Sequence, residues 1–417
     1  MSARRISIAA TAVAAVLASG ALGACSSGGS DASDGTTTTI DTSLLGPENA
    51  ATGTPIKLGL IVDGAADAMD STSVMAAGEA TAEYANDHLA GINGHPIQIE
   101  ACETGQTPTG ATTCAVQMIN ADVAAVIVPL SAQDGAVVAG LKDSGIPTIA
   151  YTTANPAIVT NPNAFVFGNP FAAIAAPAAL ANERGIDKVG LVVIDVPATT
   201  GPINALATPI FDEAGIEFDM INISPQVADL TPEIQQAIND GNEMLVIGGT
   251  EQFTVSALKA TQQLGYDGDI VLAGGSSATA VAEALPGALE GVTVVSPMTS
   301  DADDPDVRLY DAVMATYAGD VEEIAVTPQG FVAVLGFVRA LTGVTDAVDA
   351  ASITTALAAM PEPVELPRGA GITFQCGTTP ITLAPSVCSS DILAGTLDAD
   401  GSGHDFQTVD VAPYLGG

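Results

Sequence analysis

The stretch AAVIVPLSAQDGAVVAGLKDSGIPTIAYTTANP, residues 124–156, decides the fold of this chain. An unbroken apolar run over residues 124–130 predicts a buried strand. Helical spacing of apolar residues follows from Ser131 to Asp143, and a second apolar run over residues 146–150 predicts another strand. Strand, helix and strand in this order are typical of one βαβ unit of a parallel sheet.

Polar residues follow both predicted strands: Ser131 follows the first, and Tyr151, Thr152 and Thr153 follow the second. The carboxyl ends of parallel strands meet at one sheet edge, where open α/β sheets bind ligands. Ser131 also stands at the predicted start of the helix, with Asp134 at capping-box spacing. Hydroxyls and free backbone N–H groups together predict a socket for a small carboxylate or another anion. The alternative is that Ser131 only caps its helix and that the threonines only end a strand.

The first 25 residues predict export. Two arginines precede a short apolar run, which ends in the sequence LGAC at Cys25. The run is too short to be a stable bilayer anchor, and the small residues before Cys25 are typical of a cleavage site. LGAC resembles the lipobox of bacterial lipoproteins, which implies a signal peptide over residues 1–24 and lipidation of Cys25. Residues 25–54, rich in Ser, Gly, Thr and Asp, then predict a flexible tether on the outer face of the cell membrane.

The length and the cysteine content of the exported part predict its domain number and its disulfides. What remains after residue 24 is longer than one core usually organises, so two domains are expected. Four further cysteines form two local pairs, Cys102 with Cys114 and Cys376 with Cys388. Four cysteines allow three connectivities, but export permits disulfides and the local pairing closes two short loops. Each such loop stabilises the fold by about 3 kcal/mol in the chain-entropy description.

The net charge and the missing sequence motifs argue against several classes of function. Asp and Glu outnumber Lys and Arg 48 to 10, and the net charge of −38 repels nucleic acids. A GxxxxGK[ST] phosphate loop, an HExxH zinc pair and a GxSxG nucleophile elbow are all missing from the sequence. The three histidines have no metal-ligand spacing. We therefore expect a protein that is not an enzyme and that uses neither a metal nor another cofactor.

Strand-like and helical segments alternate along the rest of the chain, with few hairpin signals, which favours parallel sheets covered by helices on both faces. The pattern forms two similar series. Strands are predicted over residues 56–62, 96–101, 189–194, 218–223, 244–247, 270–273 and 292–295, and helices over residues 71–89, 109–119, 171–184, 204–214, from 231 and 252–264.

Several weak motifs occur together in a recognisable order. They are Lys57-Leu58-Gly59, Tyr84-Ala85-Asn86, Gly91-Ile92-Asn93-Gly94-His95-Pro96-Ile97, Gly145-Ile146-Pro147, Ala154-Asn155-Pro156, Ala214-Gly215-Ile216, Gly248-Gly249 and Gly330-Phe331. Over residues 55–415 the chain resembles the substrate-binding lipoproteins of ABC importers, specifically the leucine/isoleucine/valine-binding group with the type I periplasmic-binding fold. The resemblance implies an α/β fold of two Rossmann-like lobes with parallel sheets, joined by crossing strands, with a ligand cleft between them. The implied N-terminal lobe covers residues 55–170 and 299–365, and the C-terminal lobe covers residues 171–298 and 366–417.

The resemblance also implies site residues and partners. In this family the first lobe grips the ligand carboxylate at positions that fall on Ser131, Thr152 and either Thr153 or Ala154. The second-lobe strand ends provide further candidates, Thr200, Thr250, Glu251 and Ser276. The tyrosines that amino-acid binders present to the ligand ammonium are missing there, so a hydroxylated acid, an amide or a short peptide stays open beside a branched-chain amino acid. The implied partners are ABC permease and ATPase subunits; the alternative is a ligand-binding receptor for a membrane signalling partner.

Overall fold

The computed structural model describes residues 41–65, 70–274, 277–344 and 348–416, without the side chains of residues 197–199 and 202. These residues lie in one compact unit. It contains a five-stranded sheet, a seven-stranded sheet and a two-stranded sheet. The predicted α/β class with two lobes is confirmed, whereas the predicted signal peptide and Cys25 lie outside the described residues.

The first lobe is built on a parallel five-stranded sheet. Its strands are β1 (Ile56–Val62), β2 (Ile97–Glu103), β3 (Ala125–Val128), β4 (Thr148–Ala150) and β5 (Ala164–Val166), and its first helices are α1 (Thr72–His88), α2 (Pro108–Ala121), α3 (Asp134–Leu141) and α4 (Pro156–Val159). The strand order is β2-β1-β3-β4-β5, with every neighbouring pair parallel. The predicted βαβ unit at residues 124–156 is therefore present as β3, α3 and β4.

The second lobe repeats this order and extends it. Its elements are α5 (Ala172–Arg184), β6 (Lys188–Ile194), α6 (Pro197–Ala214), β7 (Glu217–Ile223), α7 (Thr231–Asn239), β8 (Met244–Gly248), α8 (Glu251–Leu264), β9 (Asp269–Ala273), α9 (Ala278–Ala284) and β10 (Thr293–Ser296), followed much later by the hairpin strands β13 (Asp391–Leu397) and β14 (Gly403–Asp410). The spatial order is β14-β13-β10-β9-β8-β6-β7. The strands β7-β6-β8-β9-β10 thus copy the first sheet, and the antiparallel hairpin adds to its β10 edge.

The segment between β10 and β13 returns to the first lobe. It contains α10 (Pro305–Val313), a π-helical turn (Met314–Ala318), α11 (Pro328–Ala340), α12 (Ala350–Ala358), β11 (Val364–Glu365) and β12 (Thr373–Phe374). Helix α11 packs closely on α1. A Cβ at Gly330 would lie 2.1 Å from the carbonyl oxygen of Val74, so this approach requires glycine.

The described chain passes between the two lobes three times: between β5 and α5, between β10 and α10, and between β12 and β13. The last passage differs from the predicted boundary at residue 366. Leu366 and Phe374 pack in the core of the first lobe, and the second-lobe strands resume only at Asp391. The sequence did not reveal this because the apolar runs there are too short to assign to either core.

The disulfide prediction is confirmed, with Cys102 bonded to Cys114 and Cys376 bonded to Cys388. The predicted tether is shorter than expected at its C-terminal end. The backbone N–H of Asn49 donates to the carbonyl oxygen of Asp87 at 2.7 Å, and that of Gly53 donates to the carbonyl oxygen of Gly94 at 2.8 Å. These backbone hydrogen bonds hold the segment against the first lobe. Its polar composition did not predict this order.

Candidate binding site

The shared strand order places comparable positions at the carboxyl ends of both sheets, where open α/β folds hold ligands. In the first sheet the residues that follow β1, β3 and β4 include Asp63, Ser131 and Tyr151; in the second sheet those that follow β6, β8 and β9 include Asp195, Thr250 and Gly274.

The predicted anion socket at Ser131 exists, but a carboxylate of the protein fills it. Ser131 Oγ donates to Asp63 Oδ1 at 2.6 Å, and the backbone N–H of Ala132 donates to Asp63 Oδ2 at 2.7 Å. Thr104 Oγ1 adds a third bond to Asp63 Oδ1 at 2.7 Å. Asp63 is only 2% exposed. Sequence reasoning missed it because Asp63 stands 68 residues before Ser131.

The predicted start of the helix at Ser131 was wrong. Helix α3 begins at Asp134, with Gln133 in the N-cap position. Ser131 Oγ accepts from the backbone N–H of Gln133 at 3.0 Å, so it closes a turn that precedes the helix. The bond to Asp63 holds this turn away from helical geometry.

A second internal carboxylate uses the hydroxyl of Thr153. Thr153 Oγ1 donates to Asp134 Oδ2 at 2.5 Å, and Asn155 Nδ2 donates to Asp134 Oδ1 at 2.7 Å. Asp134 is buried. Two of the three first-lobe hydroxyls predicted to grip a ligand carboxylate, those of Ser131 and Thr153, therefore donate to carboxylates of the chain, and Thr152 lies half-buried beside them.

Tyr151 is completely buried at the end of β4. Its hydroxyl donates to the carbonyl oxygen of Pro297 at 3.0 Å, which joins the first sheet to the passage that follows β10. Burial raises the pKa of the Tyr151 phenol far above its usual range, so it stays protonated. In this conformation Tyr151, which was predicted to contact the ligand, therefore joins two segments of the chain.

The second-lobe candidates lie in different settings. Thr200 is buried, and its hydroxyl donates to the carbonyl oxygen of Val196, the N-cap residue of α6, at 3.2 Å. Thr250 is exposed and caps α8, accepting from the backbone N–H of Phe253 at 3.4 Å. Glu251 is exposed in the first turn of α8. Ser276 lies outside the described residues.

A cavity of about 520 Å³ opens at the carboxyl ends of β6, β8 and β9, between these strands and helices α5 and α6. Its wall includes Ile174, Leu191, Ile203 and Phe211. Among the lining residues whose side chains are described, Thr250 alone is polar and none is charged. No sequence pattern indicates this cavity, because its wall consists of the same apolar residues that predict a filled core.

A larger cavity of about 840 Å³ lies at the opposite end of the second sheet. It is lined by polar groups that include Arg184, Asp405 and Thr293, the first residue of β10. Because ligands of open α/β folds bind at carboxyl strand ends, the smaller apolar cavity is the better candidate site.

Comparison with known proteins identifies relatives by family and by fold. Residues 55–384 match the family described as periplasmic binding protein. The comparison with curated protein sequences finds no match.

Solved structures with this fold cover almost all of the folded chain. A putative branched-chain amino acid ABC transporter from Rhodospirillum rubrum has a TM-score of 0.69 at 17% identity, covering 86% of this chain and 100% of that one. The leucine-, isoleucine-, valine-, threonine- and alanine-binding protein from Brucella ovis, in its closed conformation, has a TM-score of 0.67 at 15% identity, covering 87% and 97%. A fatty acid ABC transporter substrate-binding protein from Thermomonospora curvata has a TM-score of 0.63 at 16% identity, covering 88% and 96%. At these identities the likeness shows the fold.

In the part of the chain that the structure describes, no helix is long and apolar enough to cross a bilayer. The His, Cys, Asp and Glu residues of this part form no group of three or more that could hold a metal ion.

Proposed function

This chain belongs to the periplasmic binding protein family, and we propose that it is an extracytoplasmic solute-binding lipoprotein that delivers a small solute to an ABC importer. The observation that carries the proposal is the family match over residues 55–384, which spans both lobes. Family membership implies work outside the cytoplasm, and the two disulfides suit that location. The solute class is a branched-chain amino acid or a related carboxylate or amide.

Capture would occur by closure of the two lobes. Three chain passages join the lobes, and a few residues in such passages absorb the dihedral changes of a hinge motion. A solute that contacts both lobes shifts the equilibrium between open and closed forms by its differential affinity for them. We propose Thr152 and Thr250 as polar contacts, since neither hydroxyl is directed to a buried carboxylate as those of Ser131 and Thr153 are.

The proposed partners are a permease and its ATPase subunits, and the proposed anchor is a lipid on Cys25. An anchored binding protein stays close to its permease, which raises its effective concentration there. The tether that would allow this is the polar segment that precedes the docked residues 49–53.

Uptake in cells tests this proposal. A strain that lacks the gene should lose uptake of the radiolabelled solute, and the wild-type chain should restore it. The Cys25→Ser chain should appear in the medium instead of the membrane fraction and should restore uptake poorly. Cys25→Ser is matched by Ser26→Ala, which should behave as wild type. Uptake that is unchanged in the deletion strain, together with loss of a signalling response to the solute, would replace the importer function by that of a sensory receptor.

A further inference from the structure

We infer that the apolar cavity of the second lobe, beneath α5 and α6, holds an aliphatic chain of the solute. The inference rests on the proposed function and narrows its solute class. The solute would be a carboxylate or an amide with an aliphatic chain, and its polar end would stay at the cavity mouth beside Thr250.

The residues that line the cavity indicate which chemical group of the solute it can hold. Its volume of about 520 Å³ lies in the range of small-molecule sites. The described lining side chains include no carboxylate that could pair with an ammonium group. A charged group buried there would lose its hydration without compensation, whereas a hydrocarbon chain would gain from leaving water.

The cavity reaches the sheet itself. Leu191 lies in the middle of β6, a strand with neighbours on both sides, yet its side chain is only partly buried. Its neighbours Val189 and Val192 are completely buried. Protein interiors rarely leave voids larger than a water molecule over a central strand. A cavity above Leu191 is therefore unusual for a packed core.

Small residues produce the gap. Helix α5 has the sequence AAIAAPAALANER, so it brings little side-chain volume to the sheet. Gly248 ends β8, and Ala273 ends β9, both on the cavity wall. A Cβ at Gly248 would lie 3.4 Å from the carbonyl oxygen of Ala273 and 3.7 Å from Val193 Cγ1, which are ordinary contacts. The backbone therefore tolerates a side chain at Gly248, and that side chain would occupy the cavity.

A calorimetric titration with the purified protein tests the inference. The probes are straight-chain carboxylates of four to ten carbons, the corresponding amides, and isoleucine. Each added methylene should strengthen binding about fourfold until the cavity is full. The heat-capacity change of binding should become more negative with chain length, since apolar surface leaves water.

Substitutions at two positions of the cavity wall test where the aliphatic chain binds. Gly248→Val should weaken binding of the longest probes at least tenfold and remove the dependence on chain length, with Gly248→Ala intermediate. Val196→Ser, at the cavity wall, should weaken the same probes severalfold. The matched control is Val116→Ser, because Val116 is a similarly exposed valine on α2 of the other lobe, 49% against 43% exposed.

The outcomes separate this inference from the proposed function. Binding of isoleucine alone, unaffected by Gly248→Val, would overturn the aliphatic assignment and leave the importer function standing. If affinity still increases with probe length in both Gly248→Val and Val196→Ser, the aliphatic assignment is also overturned, since the probe would bind elsewhere. Binding in the cavity without a decrease in the radius of gyration by small-angle X-ray scattering would support the cavity and contradict capture by closure. If no carboxylate or amide binds, the inference fails, and the uptake experiment decides the function independently.

Discussion

The two sheets have the same strand order, but their carboxyl ends are finished in opposite ways. In the first lobe Tyr151 is completely buried after β4, and Asp63 accepts three hydrogen bonds after β1. In the second lobe Gly274 follows β9, and Asp195 after β6 is exposed. The first edge is filled and its carboxylates, Asp63 and Asp134, accept hydrogen bonds from the chain, whereas the second edge leaves an apolar cavity. A repeated topology therefore does not imply a repeated site.

The covering helices show the same contrast. The stretches KLGLIV (residues 57–62) and KVGLVV (residues 188–193) run similarly, and Leu60 and Leu191 take the same place in them. Leu60 is completely buried in the core that contains Phe331 and Phe337 of α11. Leu191 faces the alanine-rich α5 and remains partly exposed. A Cβ at Gly78 of α1 would lie 2.7 Å from Leu60, so a helix with small residues can also seal a strand by close approach. How closely the covering helices pack, rather than the strand sequence, decides whether the sheet is sealed.

The largest expected effect comes from removing the Tyr151 side chain, which fills the carboxyl edge of the first sheet. Tyr151→Ala should lower the free energy of unfolding by about 4 kcal/mol, because it leaves a cavity in a packed core. Tyr151→Phe keeps the ring and should cost about 1 kcal/mol, the value of the bond to Pro297. Urea denaturation measures both. Equal costs for the two variants would mean that the hydroxyl, and not the filled volume, distinguishes the two edges.

A smaller effect is expected from the paired carboxylate. Asp63→Ala should destabilise by about 3 kcal/mol, since Ser131, Thr104 and Ala132 lose the acceptor of their hydrogen bonds. Its matched control is Asp195→Ala, at the exposed strand end of the second lobe, which should change stability by less than about 0.5 kcal/mol. Denaturant midpoints of both variants give the comparison. If Asp63→Ala instead folds normally and binds carboxylates much more tightly, Asp63 blocks a ligand socket and does not serve mainly to stabilise the lobe.

The smallest effect concerns Asp391, a carboxylate of the second sheet to which the Ser390 hydroxyl donates at 3.0 Å. Burial raises the pKa of Asp391, the facing Asp410 raises it further, and the Ser390 hydroxyl opposes both. The folded state therefore binds this proton more tightly than the unfolded state does, and stability falls as the pH rises above the ordinary Asp pKa of about 3.9. Asp391→Asn should stabilise the protein by a few tenths of a kcal/mol at pH 7, because water screens this partly exposed group. The gain should vanish at pH 3 in thermal unfolding, and a gain that is equal at both pH values would contradict the assignment.

Much of the fold could be predicted from the sequence. The seven predicted strands and the βαβ unit at residues 124–156 are present because continuous apolar runs and period-3.6 apolar patterns are local properties. Helix ends were less predictable. Helix α6 begins at Pro197, well before the predicted residue 204, because proline is well suited to a first helical turn. Helix α3 begins three residues late, because Ser131 is held by Asp63.

The sequence by itself determined the α/β class, the two lobes, the disulfide pairs and the polar residues at the first-lobe strand ends. Each depends on spacing within short segments or on the number and position of cysteines. Only the tertiary structure decided which of those polar residues donate to carboxylates of the chain, because Asp63 and Ser131 meet across two strands. It alone also decided that a cavity remains between the sheet and the helices of the second lobe. The volume left between a sheet and its helices depends on how all of them pack, and no single segment records it.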